Sequence, residues 1–291
     1  MVKKYADLYL DARRTLLQQE DAPTAGMMAR NLLAHYSGRT QEEILSDRDM
    51  YAGEEVCRQM DEAVKRLLAG EPLPYILGEW EFYGLTLYVD NNVLIPRDDT
   101  VAVASLAINQ GIFLEHDPRI LDLCTGSGCI GLAIASRIKD ARVTLADISK
   151  DALAVAKKNI TAQKLSARVS CVQADALSPA PAFLGKFDMI VSNPPYITGP
   201  DMAELPDSVK LYEPHIALFG GRDGLDFYRS IAANYSRALK PGGYLALEFG
   251  DDQGDDVCRI LEDHGYTILE RTRDYNDRER AVLAKLGGKE Y

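Results

Sequence analysis

The chain has 291 residues, 46% of them hydrophobic and 26% charged, so it is long enough for two domains and apolar enough to form a substantial core. Its formal net charge of −11, without any run of five basic residues, argues against a protein held mainly by nucleic-acid phosphates. Five scattered cysteines without a C-x-x-C pair argue against a zinc site and indicate a reducing compartment, and no apolar stretch reaches the roughly 18 residues of a membrane span.

The first 75 residues carry the pattern of a small helical bundle. The N-terminus leads into an amphipathic stretch and not into an apolar signal sequence, so we expect a cytoplasmic protein. Apolar residues recur at spacings of three and four over Tyr5–Leu17, which predicts the first helix. A second helix is predicted to begin at Pro23 and end at Gly38, and a third spans Val56–Leu68. We interpret residues 1–75 as a separate helical domain.

Residues 76–98 have a different composition. Aromatic and β-branched residues cluster on both sides of Asp90–Asn92, a sequence that favours a turn. This pattern predicts a β-hairpin with its turn at these three residues. We expect the hairpin to link the two domains.

From residue 99 to residue 291, short apolar runs alternate with helical stretches. Runs that are apolar throughout are typical of strands covered on both faces, and their alternation with helices predicts a seven-stranded, Rossmann-like, mainly parallel sheet. The last two strands follow each other closely, which predicts an antiparallel edge. The predicted strands are 119–125, 142–148, 168–174, 187–192, 243–249, 266–273 and 280–286, and the predicted helices are 129–139, 150–163, 223–239 and 253–264.

A glycine-rich turn follows the first predicted strand of this sheet. Gly126, Gly128 and Gly131 form G-x-G-x-x-G between a strand and a helix. Glycines there allow a sharp turn and a close approach of the backbone to a ligand. The motif alone suits a nicotinamide or flavin dinucleotide equally well.

Three aspartates at successive strand ends distinguish between these cofactors. Asp122 would attract a cofactor that carries an ammonium group and would repel a pyrophosphate. Asp147 is placed to accept hydrogen bonds from two ribose hydroxyls, and Asp175 to hold an adenine amine. Each aspartate alone is also explained as a helix N-cap. Together with the catalytic motif that follows the next strand, they favour S-adenosyl-L-methionine as the cofactor.

The fourth strand of the sheet ends in Asn193-Pro-Pro-Tyr196, at the same predicted edge. The side-chain oxygen of Asn193 and the carbonyl of Pro194 can accept both N–H groups of a planar amide or amine. That contact would orient the nitrogen and stabilise the positive charge that it gains during methyl transfer. Tyr196 can stack on the flat group. The alternative interpretation is a rigid turn without a catalytic role.

With these motifs in place, the chain resembles the release-factor glutamine methyltransferases, the PrmC/HemK family, over nearly its full length. The resembling segments are Tyr75–Gly78, Glu81-Phe82, Val93–Arg97, Asp122–Gly131, Asn193–Tyr196, Tyr212–His215, Ala217-Leu218 and Asp223–Leu225. The resemblance implies a class I methyltransferase fold over residues 99–291. It also implies that the substrate is the glutamine of a Gly-Gly-Gln loop in class 1 release factors, and that the bundle of residues 1–75 and the hairpin recognise that partner.

The resemblance also implies roles for individual residues. Glutamine contacts are implied for Asn193, Pro194, Pro195 and Tyr196. Cofactor contacts are implied for Cys124, Thr125, Gly126, Ser127, Gly128, Asp147, Ala176 and Asn193. The family often has Pro-Arg-Pro-Glu/Asp-Thr-Glu where this chain has Pro96-Arg-Asp-Asp-Thr-Val101. The departures at Asp98 and Val101 leave any role of these two positions open.

Thr198–Gly221 is long for a connection, and we expect it to close over the substrate. His215 within it is either a general base or a packing residue. Three other functions stay open at this point: an adenine methyltransferase acting on DNA or RNA, a module that only binds cofactor, and a dinucleotide oxidoreductase. We expect a monomer with neither a metal nor a nucleic-acid partner.

Overall fold

The computed structural model of the protein describes residues 2–287, which divide into two compact units. The first unit contains the residues up to Gly78 together with Asp207–Tyr212, and the second contains Glu79–Pro206 and the residues from Glu213 onward. The hairpin strands therefore belong to the second unit. Within residues 2–287, no helix combines the length and the apolar character that a membrane crossing requires.

The first unit is helical. Its helices are α1 (Tyr5–Leu16), α2 (Ala22–Ser37), α3 (Gln41–Ser46), α4 (Glu54–Leu68), α5 (Leu73–Leu77) and the later α10 (Asp207–Lys210). The three predicted helices correspond to α1, α2 and α4. The Asp21 carboxylate accepts a hydrogen bond from Thr24 N at the start of α2, and Gly38 ends that helix with φ 65°. α3 and α5 were not predicted because they span only six and five residues, too few to show a helical period.

The second unit contains a seven-stranded mixed sheet, which confirms the predicted fold class. Its strand order is β5-β4-β3-β6-β7-β9-β8; β3 to β7 are parallel, and β9 runs antiparallel to both β7 and β8. The strands of this unit are β1 (Glu79–Phe82), β2 (Leu85–Tyr88), β3 (Arg119–Leu123), β4 (Arg142–Asp147), β5 (Val169–Gln173), β6 (Phe187–Ser192), β7 (Leu239–Glu248), β8 (Tyr266–Arg273) and β9 (Glu279–Leu286).

Helices cover both faces of the sheet, as the continuous apolar strands predict. One face is covered by α6 (Val101–Gly111), α7 (Cys129–Arg137) and α8 (Lys150–Ala162), and the other by α11 (Asp226–Ser230) and α12 (Gly254–Asp263). A further short helix, α9 (Gly199–Glu204), follows β6. α6 was not predicted because it is apolar almost all round, which leaves no clear amphipathic period.

The predicted position of the hairpin turn was wrong. β1 and β2 do form an antiparallel hairpin, but Phe82 pairs with Leu85, so the turn consists of Tyr83 and Gly84 and not of Asp90–Asn92. A two-residue hairpin turn of the favoured type needs positive φ at both central positions. Tyr83 has φ 53° and Gly84 has φ 79°. Gly84 adopts positive φ without steric cost, so the pair Tyr83-Gly84 suits this turn better than Asp90–Asn92, which contains no glycine.

The predicted helix 223–239 is also different in the structure. α11 covers only Asp226–Ser230 and continues as a π-helical turn at Ile231–Tyr235 and a 3₁₀ turn at Ser236–Ala238. Two buried tyrosines fix this irregular element to the carboxyl edge of the sheet. Tyr228 Oη donates to the Glu248 carbonyl at 3.0 Å, and Tyr235 Oη donates to the Asp175 carbonyl at 2.9 Å.

Candidate active site

The carboxyl ends of the parallel strands surround a cavity of about 150 Å³ in the second unit. Ligands of such sheets bind at this edge because the loops after the strands diverge there. The predicted site residues on the cavity wall are Cys124, Gly126, Asp147, Asp175, Ala176, Asn193 and Pro195. The structure thus brings together predicted residues that lie as far apart in sequence as Cys124 and Pro195.

The glycine turn shapes one side of this cavity. Gly126 has φ 54° and Gly128 has φ 86°, a conformation that other residues adopt at a cost. Gly126 lies on the wall, and a Cβ atom built on it would meet no protein atom within 4 Å. The backbone of Gly126 is therefore open to a ligand. A Cβ on Gly131 would instead lie 2.9 Å from Asp122 Oδ2, so glycine is required there for α7 to pack on β3.

Asp122 lies beneath the turn and does not line the cavity. Its Oδ2 accepts hydrogen bonds from Thr125 Oγ1 at 2.6 Å and from the Gly131 backbone N–H at 2.8 Å, while Oδ1 is buried without a partner among residues 2–287. Burial raises the pKa of this carboxyl to about 7, although both hydrogen bonds oppose the rise. Thr125, Ser127 and Gly128 are also absent from the wall. Direct cofactor contacts by these four residues stay a prediction.

Asp147 lies at the end of β4 and faces the cavity. Its Oδ2 accepts from Gly126 N and its Oδ1 accepts from Ser149 N, both at 2.9 Å. Burial raises the pKa of the carboxyl, and these backbone N–H groups oppose the rise. Each carboxylate oxygen can still accept a second hydrogen bond from a ligand hydroxyl. The same contacts fix the position of the glycine turn relative to β4.

Asp175 lines the cavity, but its carboxylate caps its own turn. Oδ1 accepts from Leu177 N at 2.9 Å and Oδ2 accepts from Ser178 Oγ at 2.7 Å. This arrangement resembles the capping role that the sequence left as an alternative. The neighbouring Ala176 is buried, and its carbonyl accepts from Ser230 Oγ at 2.6 Å. Contact between Asp175 and an adenine amine stays a prediction.

Asn193 follows β6 directly, and its side-chain oxygen has no hydrogen-bond partner among the described residues. Its Nδ2 donates to Thr100 Oγ1 at 3.2 Å. Within residues 2–287, neither Asn193 Oδ1 nor the Pro194 carbonyl accepts a hydrogen bond. Two adjacent acceptors are therefore available at the sheet edge. They match the two N–H groups of a planar amide or amine.

Glu248, at the end of β7, is a buried carboxyl that the sequence analysis missed and that interacts with Asn193. It is 1% exposed, and its Oε2 has no partner within the described part of the chain. Burial raises its pKa to about 7; hydrogen bonding from Thr100 and Asn193 and the charge of Arg280 partly oppose the rise. The available signal was a single acidic residue in the otherwise apolar run Tyr244–Phe249, which predicted a central strand.

The backbone of Tyr196 is held by a glycine-containing loop. Gln253 Nε2 donates to the Tyr196 carbonyl at 3.1 Å, and Gly220 N donates to the Ile197 carbonyl at 2.9 Å. A Cβ on Gly220 would lie 2.5 Å from Tyr196 Cα. The Tyr196 side chain packs against the core on the α11 and α12 face, and burial is the main cause that raises its pKa. Because Tyr196 is absent from the cavity wall, its stacking on a substrate stays a prediction.

The end of the long Thr198–Gly221 segment contributes to the cavity. Pro214, Ile216 and Ala217 line the wall, whereas His215 is exposed and lies 5.8 Å from the Phe219 ring centroid. The position of His215 is that of a residue which packs on its neighbour. Its proposed role as a general base has no geometric support.

Glu213 anchors this segment to the chain before α6. Its side chain is almost fully buried, forms an ion pair with Arg97 and accepts a hydrogen bond from Ile95 N at 3.1 Å. The Ile-Pro-Arg and Tyr-Glu-Pro-His motifs therefore meet in the structure. The sequence offered both motifs, but nothing in it paired Arg97 with Glu213.

Asp122 should make the free energy of unfolding depend on pH. Because burial raises its pKa from 3.8 to about 7, the folded protein keeps a proton that the unfolded chain has already released between these values. Its contribution to stability therefore falls as pH rises through this window and is constant above it. We expect the melting temperature of Asp122→Asn to rise relative to wild type by roughly 5 °C between pH 5 and pH 8.

Thermal denaturation at both pH values measures this difference. The matched control is Asp151→Asn, because Asp151 is exposed on α8. Glu248, whose pKa is also raised to about 7, is unchanged in all three proteins, so its titration cancels from the comparison. If the melting temperatures of Asp122→Asn and wild type differ by the same amount at pH 5 and pH 8, the pKa of Asp122 is not raised in the folded protein.

Comparison with known proteins agrees with this geometry. Residues 8–78 match the family model of the PrmC N-terminal domain, and residues 99–205 match that of the Methyltransferase small domain. A methyltransferase of known structure from Pyrococcus furiosus, 18% identical, has a TM-score of 0.51 over 79% of this chain and 98% of its own, which shows a common fold.

Two relatives cover most of the chain. The release factor glutamine methyltransferase of Clostridium acetobutylicum is 40% identical over 257 residues, which are 88% of this chain and 90% of that protein. The enzyme of the same name from Agrobacterium fabrum is 35% identical over 276 residues, 94% of each chain. At this identity and coverage, the chain belongs to the release factor glutamine methyltransferase family.

Proposed function

We propose that this protein transfers a methyl group from S-adenosyl-L-methionine to the side-chain amide nitrogen of the glutamine in the Gly-Gly-Gln motif of class 1 peptide-chain release factors. The observation that carries the proposal is a pair of acceptors, Asn193 Oδ1 and the Pro194 carbonyl, at the edge of the sheet where the cavity lies. Neither acceptor has a hydrogen-bond partner in the described part of the chain. A primary amide has two N–H groups in one plane, which this pair can accept together.

The cavity residues fit the proposed cofactor. The Asp147 carboxylate can accept hydrogen bonds from ribose hydroxyls, and the open backbone at Gly126 permits close approach. Ile148, Leu177 and Phe227 add apolar wall area that suits a flat base. Asp122 Oδ1, which has no partner within residues 2–287, lies behind the turn and favours a nearby positive charge. When bound, S-adenosyl-L-methionine supplies an electrophilic methyl group on a sulfonium sulfur.

The two acceptors would act on the substrate amide. They hold the amide nitrogen with its lone pair directed at the methyl group, which lowers the entropic barrier to an in-line transfer. Their partial negative charges stabilise the positive charge that the nitrogen gains as the N–C bond forms and the S–C bond breaks. One N–H proton then leaves to water. Because the proton leaves after transfer, the chemistry needs no strong base before it, and none of the four histidines is required.

The proposal includes the protein partner. A net charge of −11 favours a partner with basic surface over a nucleic acid. We propose that the helical bundle of residues 1–75 and the hairpin of residues 76–98 recognise the release factor, and that the enzyme acts as a monomer. Since the substrate acts in translation termination, we place the reaction in the cytoplasm.

One prediction of this proposal concerns the reaction and its substrate. A purified bacterial class 1 release factor, incubated with the protein and S-adenosyl-L-methionine, should gain one methyl group on the Gly-Gly-Gln glutamine. Asn193→Ala removes one of the two acceptors, so we expect its turnover to fall roughly 100-fold or more. Mass spectrometry of the tryptic peptide that contains the Gly-Gly-Gln motif measures methylation by the wild-type protein and by Asn193→Ala.

The control is binding of the methyl donor, measured by calorimetry on the same preparations. If the wild-type protein binds S-adenosyl-L-methionine but leaves the glutamine unmodified, the release-factor assignment is wrong. Adenine-containing DNA and RNA would then be tested in the same assay, because an exocyclic adenine amine is also a planar NH₂ group.

A second prediction concerns the cofactor. Asp147→Asn keeps the size of the side chain but replaces one acceptor oxygen with a donor, so it disturbs the contacts to Gly126 and Ser149 and to a ribose hydroxyl. We expect the dissociation constant of S-adenosyl-L-homocysteine to rise roughly tenfold or more. Isothermal titration calorimetry measures it, with Asp151→Asn as the exposed control. Equal affinity of Asp147→Asn and wild type would remove Asp147 from the cofactor site.

A third prediction concerns the loop that supports the catalytic turn. In Gly220→Ala the new Cβ cannot lie 2.5 Å from Tyr196 Cα, so the Asn193–Tyr196 backbone must shift. We expect the turnover number to fall roughly tenfold or more, since small displacements of positioning groups are costly. The control is Ser170→Ala, at an exposed position on β5 outside the bundle and the cavity wall. Unchanged turnover in Gly220→Ala would show that the turn tolerates displacement.

A further inference from the structure

We propose that Glu248 and Thr100 are positioning residues that fix the orientation of the Asn193 side-chain amide, so that its NH₂ group is held by the protein and its oxygen is presented to the substrate. The inference rests on the proposed function for its catalytic consequence. Its structural part concerns only whether the NH₂ group or the oxygen of the Asn193 side chain faces Thr100 and Glu248.

The three side chains form one group, in which Thr100 and Glu248 are buried and Asn193 is partly exposed. Asn193 Nδ2 donates to Thr100 Oγ1 at 3.2 Å, and Thr100 is 2% exposed. The Glu248 carboxylate is 1% exposed, and hydrogen bonding from Thr100 and Asn193 opposes the rise of its pKa that burial causes. One oxygen of this carboxylate, Oε2, has no hydrogen-bond partner within residues 2–287. The group joins the residue before α6, the residue after β6 and the end of β7.

Orientation matters because the two ends of an asparagine amide have nearly the same shape and opposite hydrogen-bonding character. With the oxygen outward, Asn193 accepts from a substrate N–H. Rotated by half a turn, it would present N–H groups to N–H groups and repel the substrate. An ionised carboxylate can only accept, so it selects the orientation in which the Asn193 NH₂ group points inward.

Thr100 transmits the same preference. A hydroxyl has one proton, and if Thr100 donates that proton to Glu248, its lone pairs remain to accept from Asn193 Nδ2. The carboxylate therefore constrains the amide both directly and through the hydroxyl. Asp98 and Val101, the two departures from the common family pattern, flank Thr100 in the sequence. Neither belongs to the group of Thr100, Asn193 and Glu248.

Ionisation of Glu248 is needed for this selection. A protonated Glu248 could donate to Asn193 Oδ1 and would permit the reversed amide. The charged and titratable groups that act on Glu248 come from several elements: Arg280 of β9, Asp99 of the 3₁₀ turn before α6, Tyr196 after β6, Tyr228 of α11 and Cys129 of α7. Only Arg280 among them favours the ionised form. Since burial raises the pKa of Glu248 to about 7, the proposal predicts loss of activity as pH falls through this value.

The test uses the full-length protein with a purified class 1 release factor. Glu248→Gln keeps the shape of the side chain but can donate as well as accept, and Thr100→Val removes the hydroxyl while keeping the volume. We expect the turnover number to fall roughly tenfold in each, with the KM for S-adenosyl-L-methionine within about twofold of wild type. Thr100→Ser restores the hydroxyl and should recover at least half of the loss in Thr100→Val. Glu262→Gln, at an exposed position on α12, is the matched control.

Two further readouts separate positioning from a merely structural role. The acidic limb of the turnover number near pH 7 should be present in wild type and absent in Glu248→Gln. By nuclear magnetic resonance, the side-chain NH₂ protons of Asn193, assigned by their loss in Asn193→Asp, should exchange with water at least roughly tenfold faster in Glu248→Gln than in wild type.

The exchange measurement does not depend on activity, so it distinguishes the two proposals. If wild type methylates the release factor and both substituted proteins do so equally fast, the positioning role is excluded. If the Asn193 protons of wild type exchange as fast as those of an exposed asparagine, it is also excluded. If wild type does not methylate the release factor but its Asn193 protons are protected through Glu248, the positioning role stands and the proposed substrate fails.

Discussion

The hydrogen bond between the Gly131 backbone N–H and Asp122 Oδ2 is the contact on which the site depends. It requires α7 to approach β3 so closely that a side chain at Gly131 would collide with the carboxylate. The chain turns sharply after β3, and the Gly126 backbone N–H lies 2.9 Å from Asp147 Oδ2 at the end of β4. One wall of the cavity is therefore set by the packing of α7 on β3 together with the contact between the Asp147 carboxylate and Gly126 N.

Two buried carboxyls, Asp122 and Glu248, carry a cost in stability that the active site explains. Each is fully enclosed, each has one oxygen without a partner within residues 2–287, and each has a pKa raised to about 7. A core selected only for stability would replace such groups with apolar residues. Their position under the glycine turn and beside Asn193 places both where polar groups are needed to orient a ligand or a neighbouring side chain.

The turn Asn193–Tyr196 is rigid because contacts hold it from several directions. Two prolines restrict its own backbone, Gln253 binds the Tyr196 carbonyl, and Gly220 packs on the Tyr196 Cα atom. The buried Glu213 forms an ion pair with the partly exposed Arg97, which ties the chain at Glu213 to the chain before α6. Chemistry that proceeds by orienting a weakly nucleophilic nitrogen depends on such fixed acceptors more than on a reactive side chain.

Local patterns in the sequence predicted where along the chain the strands of the large sheet and most longer helices lie. They also identified the glycine turn and the Asn-Pro-Pro-Tyr motif, because periodicity and turn chemistry act over a few residues. The same patterns placed the hairpin turn at Asp90–Asn92, since only strand register reveals that Tyr83-Gly84 is the turn. Thr100 contacts Asn193 across 93 positions of the sequence, and Glu248 is enclosed at the end of β7, the strand that pairs with β6. Only the tertiary structure decides these, because burial and the partners of a carboxylate depend on how the sheet assembles.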